Sequence, residues 1–221
     1  MHIILGGTSG LGYQLALLLR QQGKQVLVLG KSHDEQQHGD GFVLDIYHPD
    51  QVEKALAKLD EMLADQPLEG FVWSAGYGWR GNFEDQSDAY AMAQVNYAGA
   101  LPVVQWAWRR MIKQSVKSNL IVIGSTSSVK PRPDEAVYVS TKHAQAGLAR
   151  SLGMQADRDN LPVRVSFFLP GAMKTPFWDG RRPNDYDYFN DPAKIARHIV
   201  QATDHQAQHY LEWAFPKGSL I

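Results

Sequence analysis

The sequence predicts an α/β fold built on a parallel, doubly wound sheet with helices on both faces. Three observations predict it. Short apolar runs alternate with longer amphipathic stretches from end to end. The apolar runs are bounded by turns and apolar throughout, as strands covered on both faces are. The first run breaks into a glycine-rich turn that leads straight into a helix, the connection such sheets use at their ligand-binding edge.

The elements follow in order. Residues 2–5 read as a strand and 10–22 as a helix with Leu11, Leu15, Leu18 and Leu19 on one side. Residues 24–29 and 41–45 are the second and third strands. Between them lies a polar loop flanked by His33 and His38. Residues 49–64 form a helix with Val52, Leu56, Leu59 and Leu63 in step, and 70–75 a fourth strand. A long helical region spans 86–114. Residues 119–124, with Ile121, Val122 and Ile123, are a fifth strand, 136–158 a helix and 163–169 a sixth strand. A helix at 192–203 and a short strand at 210–214 complete the alternation, which implies a parallel sheet. The least regular stretch is 176–190; a loop of that length is read as functional, a mobile lid over a substrate.

The 221 residues suit one domain, and a hydrophobic content of 44% supports a real core. The formal net charge of -1 gives no general pull toward nucleic acid or an anionic membrane. Cysteine is absent, which excludes disulfides, thiolate catalysis and thiolate metal sites. No apolar run approaches the roughly 20 residues of a membrane span. The start lacks the basic and long apolar segments of a signal peptide, so a cytoplasmic location is expected.

The first turn reads Leu5-Gly6-Gly7-Thr8-Ser9-Gly10-Leu11-Gly12. A dinucleotide site needs bare backbone there, so that a pyrophosphate can approach the free N–H groups of a helix N-terminus. The spacing Gly6-x-x-x-Gly10-x-Gly12 differs from G-x-G-x-x-G, because Leu15 takes the last position. Taken alone, an ordinary glycine-rich turn is the competing reading. Its place at the first strand–helix junction favours the nucleotide.

Further along, Tyr138-Val-Ser-Thr-Lys142 lies on a predicted helix. Residues at this spacing share one helix face, so a phenol and an ammonium can line one cleft. A neighbouring ammonium stabilises phenolate and is expected to lower the tyrosine pKa toward the neutral range. Ser125 closes the fifth strand, at the carboxyl edge where α/β sheets bind ligands. For an isolated Y-x-x-x-K pair, an exposed tyrosine and lysine on an amphipathic helix would be the better account.

The ordered set resembles the short-chain dehydrogenase/reductase family, in its shorter branch with a single Rossmann-type domain. Gly6, Gly10 and Gly12 match its glycine motif, Gly124-Ser125 its substrate-orienting serine and Tyr138-Val-Ser-Thr-Lys142-His-Ala its catalytic helix. Val95-Asn96-Tyr-Ala-Gly99 is similar to its asparagine segment, which implies that Asn96 holds a water in a proton relay with Lys142. Leu169-Pro170-Gly171 and Lys174-Thr175-Pro176 resemble the segment that binds the nicotinamide carboxamide, and Asp45 the residue that touches adenine. The resemblance implies a cofactor site of Gly6, Thr8, Ser9, Gly10, Leu11, Gly12, Lys31, Ser32, Asp45, Ala75, Gly76, Tyr138, Lys142, Pro170, Gly171 and Thr175. It also implies a catalytic set of Ser125, Tyr138, Lys142 and Asn96. Two departures stand out. The family's N-N-A-G appears as Trp73-Ser74-Ala75-Gly76, which puts local stiffness in question, since serine makes fewer hydrogen bonds than asparagine. The sequence also ends soon after the last strand, so the substrate lid is expected from 176–190.

Lys31 and Ser32 follow the second strand. An acid there would hold the ribose hydroxyls of NAD, while a base accepts the extra phosphate of NADP, so NADP(H) is favoured over NAD(H). Asp34 and Glu35 argue the other way and are read as loop charges. No metal site is expected: the eight histidines, among them His143, His198, His205 and His209, are scattered. Trp106 and Trp108 are read as core or as a subunit contact, which the resemblance implies for that helix in a homodimer or homotetramer. Trp178, Tyr186, Tyr188 and Phe189 are read as substrate walls or as simple packing. Arg181, Arg182, Asp185 and Asp187 give the loop mixed charge and no substrate preference.

The expected activity is hydride transfer between NADP(H) and a small-molecule carbonyl or alcohol. One rival is a non-catalytic nucleotide-binding regulator or scaffold, which would need none of Ser125, Tyr138, Lys142 and Asn96. A second is a nucleotide-sugar epimerase or dehydratase, chains that resemble larger proteins with a further substrate domain.

Overall fold

The computed structural model describes residues 1–180 and 182–221; Arg181 lies outside the described residues. Strands β1 (His2–Leu5), β2 (Val26–Gly30), β3 (Gly41–Val43), β4 (Gly70–Trp73), β5 (Ser118–Ile123), β6 (Val163–Pro170) and β7 (Tyr210–Phe215) form one sheet. Their order is β3-β2-β1-β4-β5-β6-β7, and every neighbouring pair is parallel. The chain starts in mid-sheet, runs outward to β3, then returns to lay β4 on the other side of β1. Leu5 is level with Leu29 on one side and Trp73 on the other. The loops after these three strands therefore open at one edge, where the strand order reverses.

Helices α1 (Gly10–Gln21), α2 (Glu35–His38), α3 (Pro49–Leu63), α4 (Ala89–Ala93), α5 (Leu101–Lys113), α6 (Ala136–Arg158) and α7 (Pro192–Asp204) make the crossovers. Side chains alternate across the pleat, so each strand feeds two cores. Ile3, Leu5, Phe71 and Trp73 face α3, α5 and α6. Ile4, Val28, Val72 and Phe168 face α1 and α7. All of these strand residues are buried, which explains apolar runs without a polar face. No helix among the described residues is long and apolar enough to cross a membrane.

Two expectations are corrected. The region 86–114 is not one helix. After α4 the backbone takes a π turn over Gln94–Ala98, closed by Gly99 N–H donating to the Gln94 carbonyl at 2.7 Å, and only then does α5 begin. The turn packs against a distant part of the chain: a Cβ on residue 99 would stand 1.9 Å from the Ile46 carbonyl oxygen, so only glycine fits there. Pro102 adds to the break, since it has no N–H to continue the ladder and fits a first turn. The polar loop between β2 and β3 also contains a helix, α2. The Asp34 carboxylate accepts from Gln37 N–H at 3.0 Å and caps it. His38 is buried there, accepts from Asp34 N–H at 2.8 Å through Nδ1, and meets the Tyr13 ring edge-on.

Candidate active site

The glycine turn after β1 is closed from two sides. Gly6 has φ +87, and a Cβ on it would stand 2.3 Å from the Ala75 nitrogen in the loop after β4. A Cβ on Gly12 would stand 2.2 Å from the Gly6 carbonyl oxygen, so Gly12 lets α1 sit tight against the turn. Ser74 and Ala75 N–H both donate to the Leu5 carbonyl, at 2.8 and 2.9 Å. These backbone bonds supply the stiffness that Trp73-Ser74 put in question. The Trp73 ring fills core, and its Nε1 has no hydrogen-bond partner among the described residues.

This turn opens onto a cleft of about 670 Å³. Gly6, Thr8, Ser9, Gly10 and Leu11 line one end. Lys31, Asp45, Ala75, Gly76 and Thr175 continue the wall, and Tyr138 and Lys142 stand in the same cleft. Gly12, Ser32, Pro170 and Gly171 are not part of its lining. Gly12 is spent on helix packing. Ser32 is exposed. Gly171 donates to the Phe215 carbonyl at 2.7 Å, which turns it and Pro170 toward β7. Met173, Thr175 and Pro176 reach the cleft instead.

The cleft fits an extended dinucleotide. Bare glycine backbone and the first amides of α1 stand where a pyrophosphate can approach. Lys31 and Asp45 lie at the outer wall, Tyr138, Lys142 and Thr175 at the inner one. One oxygen of the Asp45 carboxylate accepts from Tyr47 N–H at 3.0 Å, which fixes its orientation.

At the inner end, α6 carries Tyr138 and Lys142 on one face. The Lys142 ammonium lies 5.6 Å from the centre of the Tyr138 ring. It donates to the Ile123 carbonyl at 3.2 Å and to Gln145 Oε1 at 2.9 Å. Ser125 is buried just beyond β5, and its hydroxyl lies close enough to the Tyr138 phenol to favour the phenolate. The Ser125 hydroxyl also accepts from Ser127 N–H at 3.1 Å, and Ser125 N–H donates to Ser128 Oγ at 3.1 Å. This reciprocal cap holds the serine still.

Asn96 is fully buried on the π turn, which aims its side chain back at the site. Its Oδ1 accepts from Tyr77 N–H at 2.9 Å, and its Nδ2 donates to the Tyr77 carbonyl at 2.8 Å and to Thr141 Oγ1 at 3.3 Å. Its link to Lys142 runs through Gln145, whose Nε2 donates to the Asn96 main-chain carbonyl at 3.0 Å. Gln145 was not foreseen, although its position three past Lys142 places it on the same helix face.

The phenol behaves against expectation. Burial pushes the Tyr138 pKa up to about 12, Glu135 adds to the rise, and the Ser125 hydrogen bond offsets part of it. Desolvation dominates, and the Lys142 amine, which was expected to pull the value down, is not among the groups that shift it. The same burial pulls Lys142 down to about 7.

Of the aromatic residues in 176–190, Phe177 lines the cleft and the four expected walls do not. Phe177 meets Trp178 at 5.1 Å, Trp178 meets Phe189 at 5.2 Å, and Tyr186 meets Phe189 at 5.3 Å. Phe189 is buried in this cluster, while Tyr188 is largely exposed. The far end of the segment is pinned by Asn190, which donates to the Pro216 carbonyl and accepts from Leu220 N–H, both at 2.9 Å. Tyr77, directly after Gly76, also lines the cleft unforeseen. On α5, Trp108 is core and Trp106 donates to Asp60 at 2.8 Å. The described residues include no cluster of three His, Cys, Asp or Glu suited to a metal ion.

Comparison with known proteins agrees with this geometry. Residues 1–185 match the family model described as short chain dehydrogenase. The chain is 27% identical to an uncharacterized oxidoreductase, YohF, of Escherichia coli strain K12, over 98% of this chain and 88% of that one. It is 28% identical to 1-deoxy-11-beta-hydroxypentalenate dehydrogenase of Streptomyces avermitilis, over 80% of this chain and 70% of the relative. An alcohol dehydrogenase from the archaeon Thermococcus sibiricus, solved with 5-hydroxy-NADP, shares the fold with a TM-score of 0.84 at 21% identity, covering 100% of this chain and 97% of that one.

Proposed function

Because the chain belongs to the short-chain dehydrogenase family of NAD(P)-dependent oxidoreductases, we propose that it interconverts a carbonyl and an alcohol, with Tyr138 as the acid–base group. The observation that carries this reading is the shared cleft: the glycine turn, Tyr138 and Lys142 open into one cavity, and Ser125 is buried directly after Gly124 of its lining. A regulator that only bound nucleotide would have no use for a phenol in the cleft between a buried serine and a buried amine.

The bound nicotinamide supplies or accepts the hydride. A bound nicotinamide dinucleotide would have its diphosphate held by Gly6, Gly10 and the start of α1, with Asp45 toward its adenosine and Thr175 toward its nicotinamide. In the reducing direction the Tyr138 hydroxyl protonates the substrate oxygen while Ser125 holds that oxygen. A phenol raised to about 12 keeps its proton throughout the neutral range, which suits a donor. An amine that titrates near 7 can then return a proton to it. Lys142 would also hold the nicotinamide ribose. Asn96 fixes the loop after β4 through Tyr77.

We read the cofactor as NADP(H), because Lys31 lines the outer wall beside Gly30. The test is cofactor consumption across ketones, aldehydes, quinones and sugars with NADPH and NADH, beside fluorescence titration of both nucleotides. Turnover of at least one carbonyl is expected, with NADPH bound more tightly and the preference shrinking in Lys31→Ala. No turnover with any substrate favours the binding-only reading. Equal affinity for both nucleotides overturns the NADP(H) reading.

A further inference from the structure

Gln145 is a buried amide on α6 with both ends in use. Its Oε1 accepts from the Lys142 ammonium at 2.9 Å, and its Nε2 donates to the main-chain carbonyl of Asn96 at 3.0 Å. Gln145 and Asn96 are fully buried and Lys142 nearly so. We infer that Gln145 is a positioning residue: it clamps the Lys142 amine between β5 and the π turn and sets how readily that amine takes and gives its proton. The inference rests on the oxidoreductase reading above.

Three features support it. First, the two hydrogen bonds fix the amide's orientation, because only Oε1 can accept from an ammonium and only Nε2 can donate to a carbonyl. Second, the other hydrogen bond of the ammonium is equally rigid, since the Ile123 carbonyl at 3.2 Å is part of β5. Neutral oxygens thus surround the amine where a carboxylate would otherwise be expected. Third, an amide holds both neighbours but does not pass protons on as a water does. The clamp therefore leaves the cleft side as the route by which Lys142 exchanges with Tyr138.

The titratable groups around this corner are few. Tyr138 stands on the same helix, and Tyr77, from the loop after β4, lines the same cleft. Glu135 and Arg132, near the start of α6, act on Tyr138. The strand β5 and the π turn contribute a main-chain carbonyl each. A hydrogen bond accepted from an ammonium favours its charged form, so the Gln145 oxygen holds the Lys142 pKa above where burial alone would leave it.

The test reads Lys142 directly. The protein is labelled with 13C-lysine and titrated by NMR without substrate, with Lys142→Arg used to assign the signal. Gln145→Met keeps the length and removes both hydrogen bonds; it should lower the Lys142 midpoint by roughly one pH unit. Gln145→Glu places a carboxylate against the amine and should raise it by roughly one unit or more. In turnover, the pH limb of kcat should move in the same direction, with KM for substrate little changed. A Lys142 midpoint unmoved in Gln145→Glu overturns the inference, whatever happens to the melting temperature. Because the titration needs no turnover, it decides this point even if no substrate is found. Should Gln145→Met fail to fold, the near-isosteric Gln145→Glu still gives the answer.

Discussion

Phe177 meets Tyr138 edge to face, ring centres 6.0 Å apart, and so ties the segment after β6 to α6. It reaches across the cleft as well: a Cβ on Gly78, in the loop after β4, would stand 2.4 Å from the tip of the Phe177 ring. The ring thus forms a wall of the cleft beside Tyr138. Phe177→Ala should raise KM for an apolar carbonyl substrate roughly tenfold, in line with the loss of one aromatic contact, while kcat falls less. Steady-state kinetics with the best substrate from the screen checks it. An unchanged KM would place the substrate on another wall.

The three polar groups should separate by what they touch. Tyr138→Phe keeps the ring and removes the proton, so turnover should fall by at least roughly a hundredfold while nucleotide affinity holds. Ser125→Ala should slow turnover without weakening the nucleotide. Lys142→Ala should do both, because its amine serves the phenol and the ribose. Rates measured beside nucleotide titration distinguish the three patterns, and near-normal rates in Tyr138→Phe would remove the tyrosine from its role.

Gly6→Ala tests the cradle. The added methyl would fall 2.3 Å from the Ala75 nitrogen, and φ +87 is costly for any residue with a Cβ. Backbone on both sides leaves little room to yield. The expected loss is about 2 to 4 kcal/mol, a fall of roughly 10 °C in melting temperature. Weaker nucleotide binding should persist at temperatures where the variant is folded.

Acid should unfold the protein partly through His2. Burial lowers its pKa from 6.5 to about 4, and its Nε2 is buried with no partner among the described residues. Between those two values the unfolded chain binds a proton that the folded chain refuses. Stability from this group is therefore whole above about 6.5 and is lost as pH falls toward 4, by about 3 kcal/mol in all. Melting temperatures measured from pH 7 to 4.5 should drop more steeply in the native protein than in His2→Phe. Equal slopes would assign the acid sensitivity to other groups.

Much of this site was legible because its parts are local. Strands covered on both faces announce themselves as apolar runs, and α6 was bounded at Ala136–Arg158 by its pattern alone. The glycine turn, Tyr138 and Lys142 each sit at a fixed offset from an element edge. What escaped depends on contacts distant in sequence. The π turn ends where Gly99 abuts the Ile46 carbonyl, a contact no local pattern reveals. Phe177 lies in a stretch without periodicity, where four other aromatics were equally eligible. The helix α2 is four residues long, too short for a period to register. The rise in the Tyr138 pKa was missed because a sequence displays charges but not the depth at which they lie.

The position of β1 in mid-sheet also has a kinetic meaning. The first strand of the chain pairs with β2 soon after it is made, yet its other edge waits for β4, with His2 opposite Gly70. Closing that span carries a chain-entropy cost before any contact repays it. The turn at Gly6 has no rigid floor until Ala75 docks beneath it. Nucleotide affinity should thus emerge as a late event in refolding. In pulse-labelled hydrogen exchange, the Ala75 amide, bonded to the Leu5 carbonyl, should gain protection in the same phase as nucleotide binding, and after the amides that join β1 to β2.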